Sequence, residues 1–155
     1  MTAPPQPPRE RHCLVTVGAT VGFAELVRHA LEPAFWAFLR AEGFGALRVQ
    51  CGPDAGWARA RLAERRGGVP PGLDVDVFDV KSDLVRDEMA LCRAAHPRQR
   101  PGVVISHAGT GTILDAWKLG VPLIVVPNTQ LLDDHQTQMA KHLAKEGYAT
   151  MASPT

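Results

Sequence analysis

The sequence has almost no charge imbalance: 17 lysines and arginines stand against 16 aspartates and glutamates, a formal net charge of +1. Gripping nucleic acid or an anionic bilayer through the overall field needs a large positive excess, so no nucleic-acid partner is expected. Long hydrophobic runs are also missing. Nothing approaches the ~20 apolar residues that cross a bilayer, and the first dozen residues are proline-rich where a secretory signal would be apolar. The expectation is a soluble chain with no direct membrane span. Cysteine is scarce, with 3 in 155 residues. Cys13, Cys51 and Cys92 form no CxxC pair and sit in apolar segments, the pattern of reduced core thiols in a cytosolic protein. Two nucleotide signatures are absent as well. The first glycine-containing loop, Gly18-Ala19-Thr20-Val21-Gly22, lacks GxGxxG spacing, and the second strand ends in Gln50 where a dinucleotide site wants an acidic residue. There is no GxxxxGK[ST] either, which removes P-loop NTP hydrolysis.

What is present is an apolar content of 45%, enough for one core in a chain too short for two ordinary domains. Pro4, Pro5, Pro7 and Pro8 make residues 1–12 an extended or disordered tail, leaving 13–155 as the folded domain. Strand-type runs are expected at 13–17, 47–51, 73–80, 103–106 and 122–126, with a short last strand near 148–151. Helical patterns fall at 23–40, with Pro33 kinking or restarting the helix, and at 55–66, 82–95, 112–119 and 134–146. Strands alternating with helices of this length call for a mostly parallel sheet with helices on both faces, an α/β Rossmann-like fold. The stretch 52–72 leaves room for one antiparallel strand.

In open α/β sheets ligands bind beyond the carboxyl ends of the strands. The loop after the fourth strand, His107-Ala108-Gly109-Thr110-Gly111-Thr112, places two glycines, two hydroxyls and an imidazole at a strand-to-helix turn. Such a turn suits a diphosphate: glycine admits close backbone approach, free amides point outward at the helix start, and the helix dipole favours negative charge. Asp115, one helical turn beyond Gly111, could accept both hydroxyls of a ribose. Read blandly, the same residues are a glycine-rich turn with a threonine N-cap and a solvated aspartate. The next loop carries Asn128, Gln130, Asp133, Asp134, His135, Gln136 and Gln138, groups that pair with sugar hydroxyls. Singly, each has a structural reading, such as Asp134 capping the last helix; the clustering on neighbouring strand ends favours a site. Asp74-Val75-Asp76 resembles a metal-binding DxD, yet its alternation with Leu73, Val75 and Val77 is that of a half-exposed strand, and no metal site is expected.

The segments Ile105-Ser106-His107-Ala108-Gly109-Thr110-Gly111-Thr112-Ile113-Leu114-Asp115, Pro122-Leu123-Ile124-Val125 and Asp133-Asp134-His135-Gln136-Thr137-Gln138 carry a resemblance. Together with Val15-Thr16-Val17-Gly18-Ala19-Thr20 and Phe23, they are similar to the catalytic subunits of the two-subunit UDP-GlcNAc transferase of dolichol-linked oligosaccharide synthesis. The similarity spans 13–151 and is loosest over 52–100. It implies the donor-binding, C-terminal-type half of a GT-B glycosyltransferase. A membrane-anchored partner would supply the acceptor site and recruit the chain from the cytoplasm to the cytosolic face of the endoplasmic reticulum. The implied reaction moves GlcNAc from UDP-GlcNAc to the dolichol-linked acceptor GlcNAc-diphospho-dolichol with inversion, and needs no cofactor or metal. By position, His107 and the backbone from Gly109 through Thr110 and Gly111 to Thr112 hold the diphosphate, with Gly18 and Thr20 of the first loop also against the donor. Asp115 takes the ribose, and Gln136 with Asn128, Asp134, His135 and Gln138 contacts the GlcNAc. Related glycosyltransferases carry asparagine at Gly111, glutamate at Asp115 and aspartate at His135. Family members usually continue through further helical sequence, so partner docking is expected to be weaker in this chain.

Inverting transfer develops negative charge on the departing UDP, which amide dipoles and the His107 imidazole would stabilise. It also requires a base for the acceptor hydroxyl. His12 and His29 read as ordinary surface histidines, and the base is expected from the partner. A non-catalytic UDP-binding or regulatory module is the alternative. A serine hydrolase built on Ser106 and His107 is disfavoured, because adjacent side chains on a strand face apart and no GxSxG elbow exists.

Overall fold

The computed structural model describes residues 10–17, 23–79, 88–93, 100–107, 110–126 and 150–151. Six strands make one sheet: β1 (Arg11–Thr16), β2 (Phe44–Gln50), β3 (Asp74–Phe78), β4 (Val103–Ser106), β5 (Leu123–Val125) and β6 (Thr150–Met151). Their order is β3-β2-β1-β4-β5-β6 and every pairing is parallel. The antiparallel strand allowed within 52–72 does not form. That stretch holds α3 (Ala55–Glu64) between two single turns of 3-10 helix, and Ala55, Ala58 and Leu62 give α3 a buried stripe against the sheet.

Strand alternation sends side chains to two separate cores. Cys13, Val15, Leu47, Val49, Val75 and Val77 pack with α1 (Ala24–Ala30), α2 (Pro33–Ala41) and α3 on one face. Leu14, Val104, Leu123 and Val125 pack on the other with Met89, Cys92, and Ile113 and Ala116 of α4 (Thr110–Leu119). Helices therefore cover both faces, as alternating strand and helix patterns require. The helical pattern expected over 23–40 is two helices. Pro33 occupies the first turn of α2, where its missing N–H costs nothing, and the buried Trp36 indole donates to the Ala30 carbonyl at 2.9 Å across the break. Of the pattern expected over 82–95, residues 88–91 are helical and the helix ends there, with Cys92 and Arg93 in a turn; 82–87 and 94–95 lie outside the described residues, as does the helix expected over 134–146.

Two boundaries differ from expectation. β1 opens at Arg11, two residues inside the segment assigned to the tail. Arg11 stacks over the Phe44 ring at 4.2 Å and donates to the carbonyls of Pro101 and Glu42, contacts that tie the strand's start to the fold. His12 is accordingly half-buried within a strand, with Nδ1 out of contact with water, and is not a surface histidine; His29 is exposed on α1. α4 opens at Thr110, two residues before the expected Thr112. All three cysteines are buried free thiols. Burial pushes the Cys13 thiol far up and holds Cys51 up at about 12, so neither is a thiolate at neutral pH.

Candidate functional site

The strand order reverses between β1 and β4: from β1 the chain works outward through β2 and β3, then returns beside β1 and works the other way. A switch point of this kind, at the carboxyl ends of the strands, is where open α/β sheets bind ligands. The loop after Val17 and the loop opening at His107 flank that point. They are joined at their base, because the His107 amide donates to the Thr16 carbonyl at 3.2 Å.

His107 is half-buried at the tip of β4. Its Nδ1 is buried and has no hydrogen-bond partner among the described residues. A polar atom in that condition costs free energy unless a ligand or solvent pairs with it. Desolvation holds the imidazole pKa below its ordinary value, and the Thr16 carbonyl pulls it partly back up. The ring is therefore neutral at neutral pH and able to donate a hydrogen bond without adding charge. The early start of α4 strengthens the phosphate reading. Thr110, Gly111 and Thr112 form its first turn, so their amides lack intrahelical acceptors and lie at the positive end of the helix dipole. Thr112 is inside the helix and does not serve as its N-cap. Half-buried Asp115 follows on the same helix, and Gly120 closes it at φ +69°. Val121 and Gly120 amides donate to the Ala116 and Trp117 carbonyls, at 3.2 and 3.1 Å, the pairing of a Schellman stop.

The structure thus brings His107, the start of α4 and Asp115 to the same strand ends. Gly18, Thr20, Gly109, Asn128, Asp134, His135, Gln136 and Gln138 lie outside the described residues. The Asp74-Val75-Asp76 segment is strand β3 with both aspartates exposed; Asp74 pairs with Arg48 at 2.9 Å and Asp76 accepts from the Val77 amide. No cluster of three or more metal-type ligands occurs among the described residues. Ser106 is fully buried and its hydroxyl has no partner among the described residues, so no hydrolase dyad forms with His107.

Sequence reasoning missed a row of polar side chains under the site. Gln50, Thr16 and Ser106 are the polar residues buried in the described sheet, and they stand in register across β2, β1 and β4. Gln50 Oε1 accepts from Thr16 Oγ1 at 2.7 Å and from the Val17 amide at 3.0 Å. The available signal was a glutamine closing the apolar run of β2, a position that a doubly covered parallel strand normally fills with an apolar residue.

A doubly wound sheet with an anion-favouring helix start at its switch point defines a Rossmann-like nucleotide-binding domain. Within that class, residues 12–154 match the model of the glycosyltransferase family 28 C-terminal domain, and the chain belongs to that family. It is 33% identical over 160 residues to the UDP-N-acetylglucosamine transferase subunit ALG13 of Saccharomyces cerevisiae, covering 94% of this chain and 79% of that one. A solution NMR structure of ALG13 superimposes with a TM-score of 0.69 at 30% identity, over 95% of this chain and 80% of the other. The crystal structure of Acinetobacter baumannii MurG shares the fold, with a TM-score of 0.66 at 24% identity over 97% of this chain and 38% of that one.

Proposed function

We propose that this chain is the donor-binding, catalytic subunit of a UDP-GlcNAc transferase, moving GlcNAc from UDP-GlcNAc to GlcNAc-diphospho-dolichol for N-glycosylation. The observation that carries the donor site is the buried Nδ1 of His107, without a partner among the described residues, beside the amide-rich start of α4 at the sheet's switch point. His107 and the first-turn amides would hold the diphosphate, and Asp115 the ribose. Gly18, Thr20 and Gly109 would line the phosphates, and Asn128, Asp134, His135, Gln136 and Gln138 the GlcNAc.

The transfer is inverting and independent of metal in this reading. As the bond from the anomeric carbon to UDP breaks, charge grows on UDP, and preorganised amides with the His107 imidazole as donor stabilise that charge. Among the described residues no helix is long and apolar enough to cross a membrane. In this reading a membrane-anchored acceptor-binding subunit, which would also supply the general base, brings the chain to the cytosolic face of the endoplasmic reticulum. The word "subunit" in the name of the yeast relative supports a partner.

Isotope-edited titration of the chain with UDP and UDP-GlcNAc tests the donor site. Saturable shifts in the amides of residues 107–115 and 133–138 are expected. Their absence at millimolar ligand would overturn the reading.

A further inference from the structure

The sheet is apolar through most of its thickness and then turns polar at one level, where Gln50, Thr16 and Ser106 share a row at the carboxyl ends of three adjacent strands. Gln50 is 2% exposed. Its orientation is settled by chemistry: the Val17 amide can only donate, so the atom facing it is the carbonyl oxygen and not the NH2. The same oxygen accepts the Thr16 hydroxyl, which fills both its lone pairs. The two donors bracket the point where the chain leaves β1 and ladder pairing ends. From Thr16 the connection continues, since its carbonyl takes the His107 amide at 3.2 Å.

One side-chain oxygen therefore fixes the exit of β1, and through Thr16 the exit of β4. A methionine or leucine would fill much the same volume, but it would leave the buried Val17 amide and Thr16 hydroxyl without their acceptor. Pairing those two donors stabilises the core, and because both sit where the chain leaves β1 it also fixes the direction of two strand exits. We propose that Gln50 is a positioning residue of the donor site. It touches no substrate; it sets the backbone of Val17 and His107 so that the amides and imidazole above them meet the diphosphate. This rests on the donor-site reading given above.

The test uses the full chain in four forms: wild type, Gln50→Met, Gln50→Glu and Thr16→Val. Gln50→Met removes the acceptor at nearly constant volume, Gln50→Glu keeps an oxygen in place, and Thr16→Val deletes one of the two donors. Dissociation constants for UDP are read from amide shifts at a temperature where each form is folded, so a merely destabilised chain leaves them unchanged. Gln50→Met is expected to weaken UDP by ~10-fold, the scale of one lost hydrogen bond's positioning, and to move the Val17 and His107 amides upfield. Gln50→Glu is expected to retain most of the affinity, and Thr16→Val to lose part of it. Should Gln50→Met not fold, Thr16→Val and Gln50→Glu decide by the same readout. A wild-type UDP response undiminished in the variants that fold overturns the positioning role alone. No UDP response in the wild type overturns the donor site, and the positioning role with it.

Discussion

His107 carries two consequences at the scale of one side chain. Burial lowers its pKa below the ordinary 6.5, so the folded chain favours the neutral ring. The stability this contributes is complete above the unfolded value and is lost as pH falls through the folded one, because there the unfolded state binds the extra proton. Urea unfolding across mildly acidic pH should show a decline that His107→Asn flattens. Ligand binding works the opposite way. In the proposed site a diphosphate against the imidazole favours its protonated form, so UDP binding takes up a proton and tightens as pH falls. Calorimetric titration in buffers of different ionisation enthalpy measures that uptake, and an affinity indifferent to pH would place the ring away from the phosphates. Ser106 makes the contrasting case. Its buried hydroxyl lacks a partner among the described residues, so Ser106→Ala should leave thermal stability unchanged or raise it by ~1 kcal/mol. A loss of stability would show that the hydroxyl is paired after all.

Elements, rather than single residues, set where those side chains stand. β1 and β4 approach closely enough that a Cβ on Gly102 would collide with the backbone oxygen of His12. Gly102→Ala should therefore force the two central strands apart at their amino ends and cost on the order of 2 kcal/mol, seen as a lowered denaturant midpoint. An unchanged midpoint would mean the strands can shift without loss. The strands themselves were legible, since Val103 to Ser106 and Leu123 to Val125 are β-prone runs bounded by loop residues. So was the restart at Pro33. The opening of β1 at Arg11 was not legible, because its cause is a stacking contact with Phe44, distant in sequence. Nor was the start of α4 at Thr110, where threonine and glycine have poor helix propensity and the surrounding fold overrides it. The glycine-rich turn was readable as a candidate anion site from its residue types, but the clamp beneath it was not. Gln50 looks like any polar strand end until the register sets it beside Thr16.

At the scale of the whole molecule, the doubly wound sheet of the described residues has one switch point, the place where such sheets bind a ligand. That is half of what group transfer between two bound substrates requires. The proposed donor site needs only the tips of β1 and β4 and the start of α4, all within this chain. Transfer also needs the acceptor hydroxyl held within reach of the anomeric carbon, with a base to take its proton. Holding both partners at once is worth many orders of magnitude in effective concentration. The donor half should therefore keep its affinity alone and lose its turnover. Purified chain is expected to bind UDP and UDP-GlcNAc yet form no detectable chitobiosyl lipid from GlcNAc-diphospho-dolichol. Adding the membrane-anchored subunit should restore product, with a KM for UDP-GlcNAc close to the dissociation constant of the isolated chain. Product formed at comparable rate without the partner would show that this chain holds the acceptor and base itself. Tight UDP binding with no product even in the reconstituted pair would instead favour a non-catalytic nucleotide-binding module.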